Sequence, residues 1–420
     1  MIVFDKDALS GSAISWVLDL IKKAYKIDLE KSVNDSVIIG VSADADIRIS
    51  KQFYVDLFNK STFNHQHFFS GIPIIKLADG TPDYISSIFY IVNGFQDYNN
   101  TESLNKYGGY TAKGSFQLKF GILEKDFVKT LIIKLIKQIN PTLKLPFNRA
   151  QIFISHDIDS VYGSLKYDGL WALKNGYIID MLKVIFKTVL RRPPWFNIDT
   201  IAKLESDHDI RACYYWIVQN GRDRFGIKNG DYKFQSKKIQ YQLTKAVDLK
   251  NEIGLHKSTM ETSFDDELSV FKSEINHNRN HFLKMNNPQD YRHMEEAGIL
   301  TDSSIGFSDT MGFRNSFGMP YFPFNLETNK AFNVLEIPLQ IMDGVFDITN
   351  SKTGDIAYHR IVDFIEAHST DTVISILWHN SEMTDYAYKW SFECYKKLLR
   401  YLYESKFESV LPSELLLQYK

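Results

Sequence analysis

From Gln151 onward the chain repeats one unit, a short strand-like run followed by a stretch with helical periodicity. The runs are Gln151 to Ser155, Ala212 to Val218, Glu252 to Leu255, His277 to His281, Gly298 to Thr301, Asn333 to Gln340 and Thr372 to Trp378. A strand rejoins its neighbour in parallel only through a crossover, usually a helix, so this alternation predicts a parallel sheet rolled into a barrel. The fold class expected is α/β, a distorted (β/α)7-8 barrel, whose active site is built from polar residues at the C-terminal strand ends. The first ~145 residues lack this rhythm. Alternating pieces at Val37 to Val41 and Phe116 to Phe120 mix with helical patterns near Ile14 to Tyr25, Asp83 to Gly94 and Asp126 to Ile139, which suggests a smaller α+β domain. Asn140 to Asn148 carries two prolines and is the expected linker, dividing the chain into 1–145 and 146–420.

Lys+Arg 49 against Asp+Glu 51 leaves a formal net charge of −2, so nucleic acid is not an expected partner. Cys213 and Cys394 are too few for a disulfide framework and read as buried thiols. The opening M-I-V-F-D-K-D-A-L-S lacks the features of a secretory signal, which makes the cytoplasm the expected compartment. The apolar stretch Tyr177 to Leu190 is interrupted by Asp180, Lys183 and Lys187 and falls short of the roughly 20 apolar residues of a membrane span. It predicts an amphipathic helix, ending at Arg191 to Pro194, that packs on its own domain; peripheral contact with a membrane surface is the rival reading.

The first barrel strand runs into S-H-D-I-D, and two carboxylates two positions apart on an extended chain, Asp157 and Asp159, point the same way. They repel unless a cation or a proton lies between them. A metal ion with one carboxylate as ligand and the other as general base resolves that conflict; the bland reading is an exposed loop of turn-forming aspartates. G-L-H supplies His256, whose imidazole suits zinc or another first-row metal, set against a structural histidine. N-H-N-R-N-H places Arg279 and His281 on one face, with His277 directed elsewhere. Later runs offer Arg314, Asp343 and His379.

In this order the motifs resemble those of the polysaccharide deacetylases, carbohydrate esterases with a NodB-type homology domain. The resemblance covers about Gln151 to Leu416. The strings H-D-I-D, G-L-H, R-N-H-F-L, A-G-I-L-T-D-S-S-I-G-F, G-F-R and L-W-H are similar to a bacterial subgroup with its own N-terminal domain, as is D-Y-I-S-S-I-F-Y-I-V-N-G-F-Q-D-Y. The resemblance implies Asp157 as general base, Asp159 and His256 as ligands of a divalent metal, Arg314 as the residue that orients or tunes the base, and His379 as general acid. Asp343 would orient His379. Zinc is the expected ion, with nickel, cobalt and manganese as alternatives. The family's second metal histidine has no counterpart, because Met260 stands in its place and a thioether is a poor ligand beside a carboxylate. His281 is the expected third ligand, with Glu261 and His156 as rivals and a structural hydrogen-bonding role as the alternative.

The reaction implied is hydrolysis of an N-acetyl group on a sugar, a C–N bond other than a peptide bond, with O-acetyl or another amide as lesser options. The expected partner is therefore an acetylated carbohydrate. A carbohydrate-binding protein on the same barrel, impaired in catalysis, is the competing function, and Met260 favours it. No G-x-S-x-G, G-x-x-x-x-G-K-[ST] or G-x-G-x-x-G motif points to serine, phosphate-loop or dinucleotide chemistry. Trp378, Phe313, Tyr321 and Phe322 are expected near a substrate, with N-S-F-G-M-P-Y-F-P-F as one wall of its groove.

Overall fold

The computed structural model describes residues 2–4, 8–29, 36–59, 68–69, 71–98 and 100–420; residues 1 and 5–7 of the opening string lie outside these. Strands β1 (Ile2–Phe4), β2 (Val37–Gly40) and β3 (Ile47–Arg48) form a small parallel sheet accompanied by helices α1 (Ala8–Tyr25), α2 (Tyr84–Val92) and α3 (Phe127–Ile139). Helix α2 starts where the Asp83 carboxylate accepts the Ser86 N–H at 2.9 Å, and it is apolar almost all round because every residue from Ile85 to Val92 is buried. Helix α3 instead buries one stripe, Val128, Leu131, Ile132, Leu135, Ile136 and Ile139, at helical spacing. This region does not keep a core to itself: its apolar residues share one cluster with Phe153, Tyr215, Phe317, Tyr321 and Leu335.

The large sheet comprises β4 (Gln151–Ile158), β5 (Ala212–Trp216), β6 (Glu252–Lys257), β7 (His277–Asn280), β8 (Thr301–Asp302), β9 (Leu335–Glu336), β10 (Ile341–Met342), β11 (Val373–Leu377) and β12 (Glu408–Ser409). Its order is β9-β8-β7-β6-β5-β4-β11-β10, with β12 also on β4, and every pairing is parallel. The two edges, β9 and β10, are consecutive in the chain and separated only by Ile337 to Gln340. A flat sheet of this width would hold its edges about 34 Å apart, whereas five residue steps span at most about 17 Å. The sheet must therefore curl until its edges approach, which gives the α/β barrel its distortion. Asp157, Asp159, His256, His281, Asp343 and His379 all lie at or just beyond C-terminal strand ends, on one rim.

Several local expectations are corrected. Phe116 to Phe120 is not a strand: Ser115 caps a helix at Phe116–Lys119, and the Phe116 and Phe120 rings meet at 4.7 Å, one helical turn apart. The strand expected from Gly298 shortens to Thr301–Asp302, because Gly298, at φ +76°, still belongs to the end of helix Gln289–Glu296. Asn333 to Gln340 is not one strand: only Leu335–Glu336 pairs in the sheet, and Ile337 to Gln340 connects its two edges. The helix Ile178–Val189 forms as expected but does not pack its apolar face on its own domain, for Val184 alone among its residues is buried. N-S-F-G-M-P-Y-F-P-F is core instead of groove wall, with Phe317, Tyr321 and Phe324 buried against the N-terminal region. Trp378 and Phe313 are also fully enclosed, and Phe322 sits under Lys23, so none of these aromatics forms a sugar platform. Cys213 and Cys394 are both buried and free.

Candidate metal centre and catalytic cavity

Strand β4 is buried along nearly its whole length, and its alternation carries Asp157 and Asp159 to the same side at the rim. Asp157 sits inside the end of the strand, 3% exposed, where its Oδ1 accepts a hydrogen bond from Arg279 Nη1 at 3.0 Å. Arg279, on β7, is fully buried and fully engaged: it donates to Ser155 Oγ at 2.8 Å, to the Ser303 carbonyl at 2.9 Å and to Ser303 Oγ at 2.9 Å. Its guanidinium also lies over the Tyr215 ring at 4.6 Å. That ring fits because position 254 is glycine; a Cβ there would stand 2.3 Å from Tyr215 Cδ1. Arg279 thus holds the place beside Asp157 that sequence reasoning gave to Arg314. Arg314 is bonded elsewhere, its Nε donating to the buried carboxylate of Asp97 at 3.0 Å, under the cover of the N-terminal region.

Asp159, His256 and His281 are the residues suited to hold a metal ion, their donor atoms lying within 4.8 Å of one another. His256 Nδ1 donates to the Arg279 carbonyl at 2.8 Å, so its unprotonated Nε2 faces the cavity. That Nε2 lies 3.2 Å from Asp159 Oδ1, yet both atoms are buried without a hydrogen-bond partner among the described residues. Two facing acceptors of this kind need a proton or a cation between them. His281 Nε2 is 3.7 Å from Asp159 Oδ2, and its Nδ1 faces Asn229 Oδ1 at 3.3 Å. Burial pushes His281 down to about 4, keeping it neutral as a ligand must be. Burial alone would raise Asp159, but His281, His256 and His379 hold its carboxyl well below the usual carboxylate range. His256 shifts up, since Asp157 and Asp159 outweigh the burial that opposes its charge. Two imidazoles and one carboxylate are zinc-type donors, and they leave a position open.

The rivals for the third ligand are engaged elsewhere. His156 is fully buried with both nitrogens used, by the Trp378 carbonyl and by Glu205, each at 2.6 Å. Glu261 pairs with Arg224 at 2.5 Å on the surface. His277 faces Glu252 and Thr301, away from the cavity as expected.

On the far wall Asp343 accepts from the His379 backbone N–H at 2.6 Å and binds its Nδ1 at 2.7 Å, leaving Nε2 3.8 Å from Asp159 Oδ2. Burial works against the imidazolium, but Asp343 prevails and raises His379 to about 10. The cavity these groups share, about 280 Å³, is also lined by Asn105, Tyr107, Phe282 and Ser308. Sequence reasoning missed this contribution of the N-terminal region. Tyr107 stacks on Phe282 at 4.5 Å, and Phe282 on His281 at 3.8 Å. Asn105 Oδ1 accepts from the backbone N–H groups of Tyr107 and Gly109 and fixes their loop. The loop can reach the His281 turn because position 109 is glycine: a Cβ would stand 2.4 Å from the Phe282 carbonyl oxygen. Phe282 itself holds a positive φ of 61°, uncommon for a bulky residue.

No family model and no curated protein matches the chain. Among solved structures, it is similar to a Mycobacterium smegmatis protein assigned as a polysaccharide deacetylase (9% identity, 64% of this chain and 96% of that one, TM-score 0.35). It is also similar to the chitin deacetylase of Colletotrichum lindemuthianum (8% identity, 64% and 88%, TM-score 0.34). A third is a CE4 family pseudoenzyme of Bacillus anthracis (11% identity, 67% and 71%, TM-score 0.28). At such identities and TM-scores, function is argued from the side chains alone.

Proposed function

We propose that the chain is a metal-dependent hydrolase that removes acetyl groups from N-acetylated sugars of a poly- or oligosaccharide. The observation that carries this reading is the meeting of an arginine-paired carboxylate, a carboxylate with two imidazoles, and an aspartate-held imidazole around one cavity. Asp159, His256 and His281 hold the ion. When bound, a divalent cation supplies Lewis-acid polarisation of the acetyl carbonyl and lowers the pKa of water. Asp157, held and oriented by Arg279, takes the proton of the attacking water. Asp343 fixes the Nδ1–H tautomer of His379, so its Nε2 presents a proton to the departing amine. Tyr107, backed by Phe282, offers a sugar ring an aromatic surface at the entrance.

The competing reading, a sugar-binding protein without turnover, is favoured by Met260 at the place of a family metal histidine. Acetate release from N-acetylated chito-oligosaccharide separates the two. The hydrolase reading expects release that a chelator abolishes and zinc restores. It also expects Asp157→Asn to keep metal and fold while losing about two to four orders of magnitude in rate. Sugar binding with no release at any metal loading supports the alternative.

A further inference from the structure

We infer that the helical hairpin of residues 165–190 docks the protein on an anionic membrane surface. The hairpin consists of the turn Leu165–Gly169, the short helix Leu170–Lys174 and the helix Ile178–Val189. Ile179, Leu182, Phe186 and Val189 recur at helical spacing, and their exposures run from 55% to 72%. Leu165, Leu170, Leu173 and Ile178 of the same hairpin are exposed as well. Large apolar side chains scattered singly are ordinary, but this many on one hairpin form a contiguous face that soluble monomers rarely leave uncovered.

Charge identifies what covers it. Residues 165–192 carry Lys166, Lys174, Lys183, Lys187, Arg191 and Arg192 against two acids, in a chain whose net charge is −2. Of the acids, Asp168 is buried, and Asp180 is paired with Lys183 at 2.9 Å. An apolar face rimmed by basic residues matches the acyl boundary and anionic headgroups of a bilayer. A second copy of the same hairpin would bring the same basic rim against itself.

The hairpin is anchored to the segment that follows His379. Asp168 accepts from Thr384 Oγ1 and from the Ala387 N–H, each at 3.1 Å, in the segment that follows His379. Tyr167 stacks on Trp195 at 5.3 Å, and the Trp195 carbonyl accepts from Asn380 at 2.8 Å. A cavity of about 420 Å³ is lined by Tyr167 and Trp171 of the hairpin together with Asp343, Glu382 and Tyr388. Docking through the hairpin therefore holds the His379 side of the site close to the membrane.

Flotation of the full chain with vesicles tests this. The wild type should float with phosphatidylcholine–phosphatidylglycerol vesicles, on the order of tenfold more than with phosphatidylcholine alone, and less as salt is raised. The double variant I179D/F186D replaces exposed side chains, so it should keep its Tm and its acetate release from soluble chito-oligosaccharide while losing flotation. The inference is overturned if the wild type stays with the soluble fraction in the anionic mixture, or if I179D/F186D floats equally well. It is also overturned if the wild type is a dimer that does not float and that I179D/F186D converts to a monomer. Flotation is read without turnover, so a chain that floats but releases no acetate contradicts the hydrolase reading and leaves the docking intact.

Discussion

Arg279 donates to Asp157 across 3.0 Å with both side chains buried, where a fixed charge acts far more strongly than on the surface. Arg314, the arginine marked by its place along the sequence, neutralises Asp97 instead. The two variants should therefore separate. Arg279→Gln should lower kcat by about 10- to 100-fold with the metal retained, in the manner of other groups that support a site from behind. Arg314→Gln should leave kcat near normal and lower unfolding stability by about 3 kcal/mol, since it strands a buried carboxylate; steady-state kinetics beside thermal melts distinguish them. His379 gives a pH test. As an acid it must be protonated, so the rate falls as pH rises through its pKa, which Asp343 holds up against burial. Asp343→Asn removes that support, and the basic limb of the kcat profile should move to lower pH; an unmoved limb would assign it to another group.

At the scale of elements, what the sequence made legible is what depends on local period. The alternation after Gln151 revealed the parallel barrel and the rim that carries the site, because a buried parallel strand and an amphipathic helix have distinct patterns. His281 was legible as a candidate ligand because adjacent barrel strands converge their side chains at the mouth, although a 3₁₀ turn at His281–Leu283 carries it. The role of Arg279 was not legible, since it depends on the register that sets His256 opposite Arg279. Nor was Tyr107, which reaches the cavity only through tertiary contacts more than 150 residues away in sequence. Its ring suits it to sugar stacking, so Tyr107→Ala should raise KM for an oligosaccharide by about 5- to 10-fold with kcat changed less. Equal KM values in the two proteins would remove the N-terminal loop from substrate binding.

Over the whole molecule, two surfaces meet at the C-terminal rim of the barrel. The loop of residues 105–109 closes one side of the cavity against Phe282, and the basic, apolar-faced hairpin lines a separate cavity that Asp343 also borders. Both are supplied by segments that do not belong to the repeating strand and helix unit. Among the described residues, no helix is long and apolar enough to cross a membrane. The proposed chemistry turns on one ion. Anomalous diffraction at the zinc edge from crystals soaked in zinc tests that claim most directly. The account predicts a peak within about 2.0–2.2 Å of Asp159, His256 Nε2 and a His281 nitrogen, lost in His281→Ala. A map without a peak in that cavity at saturating zinc, or a peak that His281→Ala leaves unchanged, would contradict it.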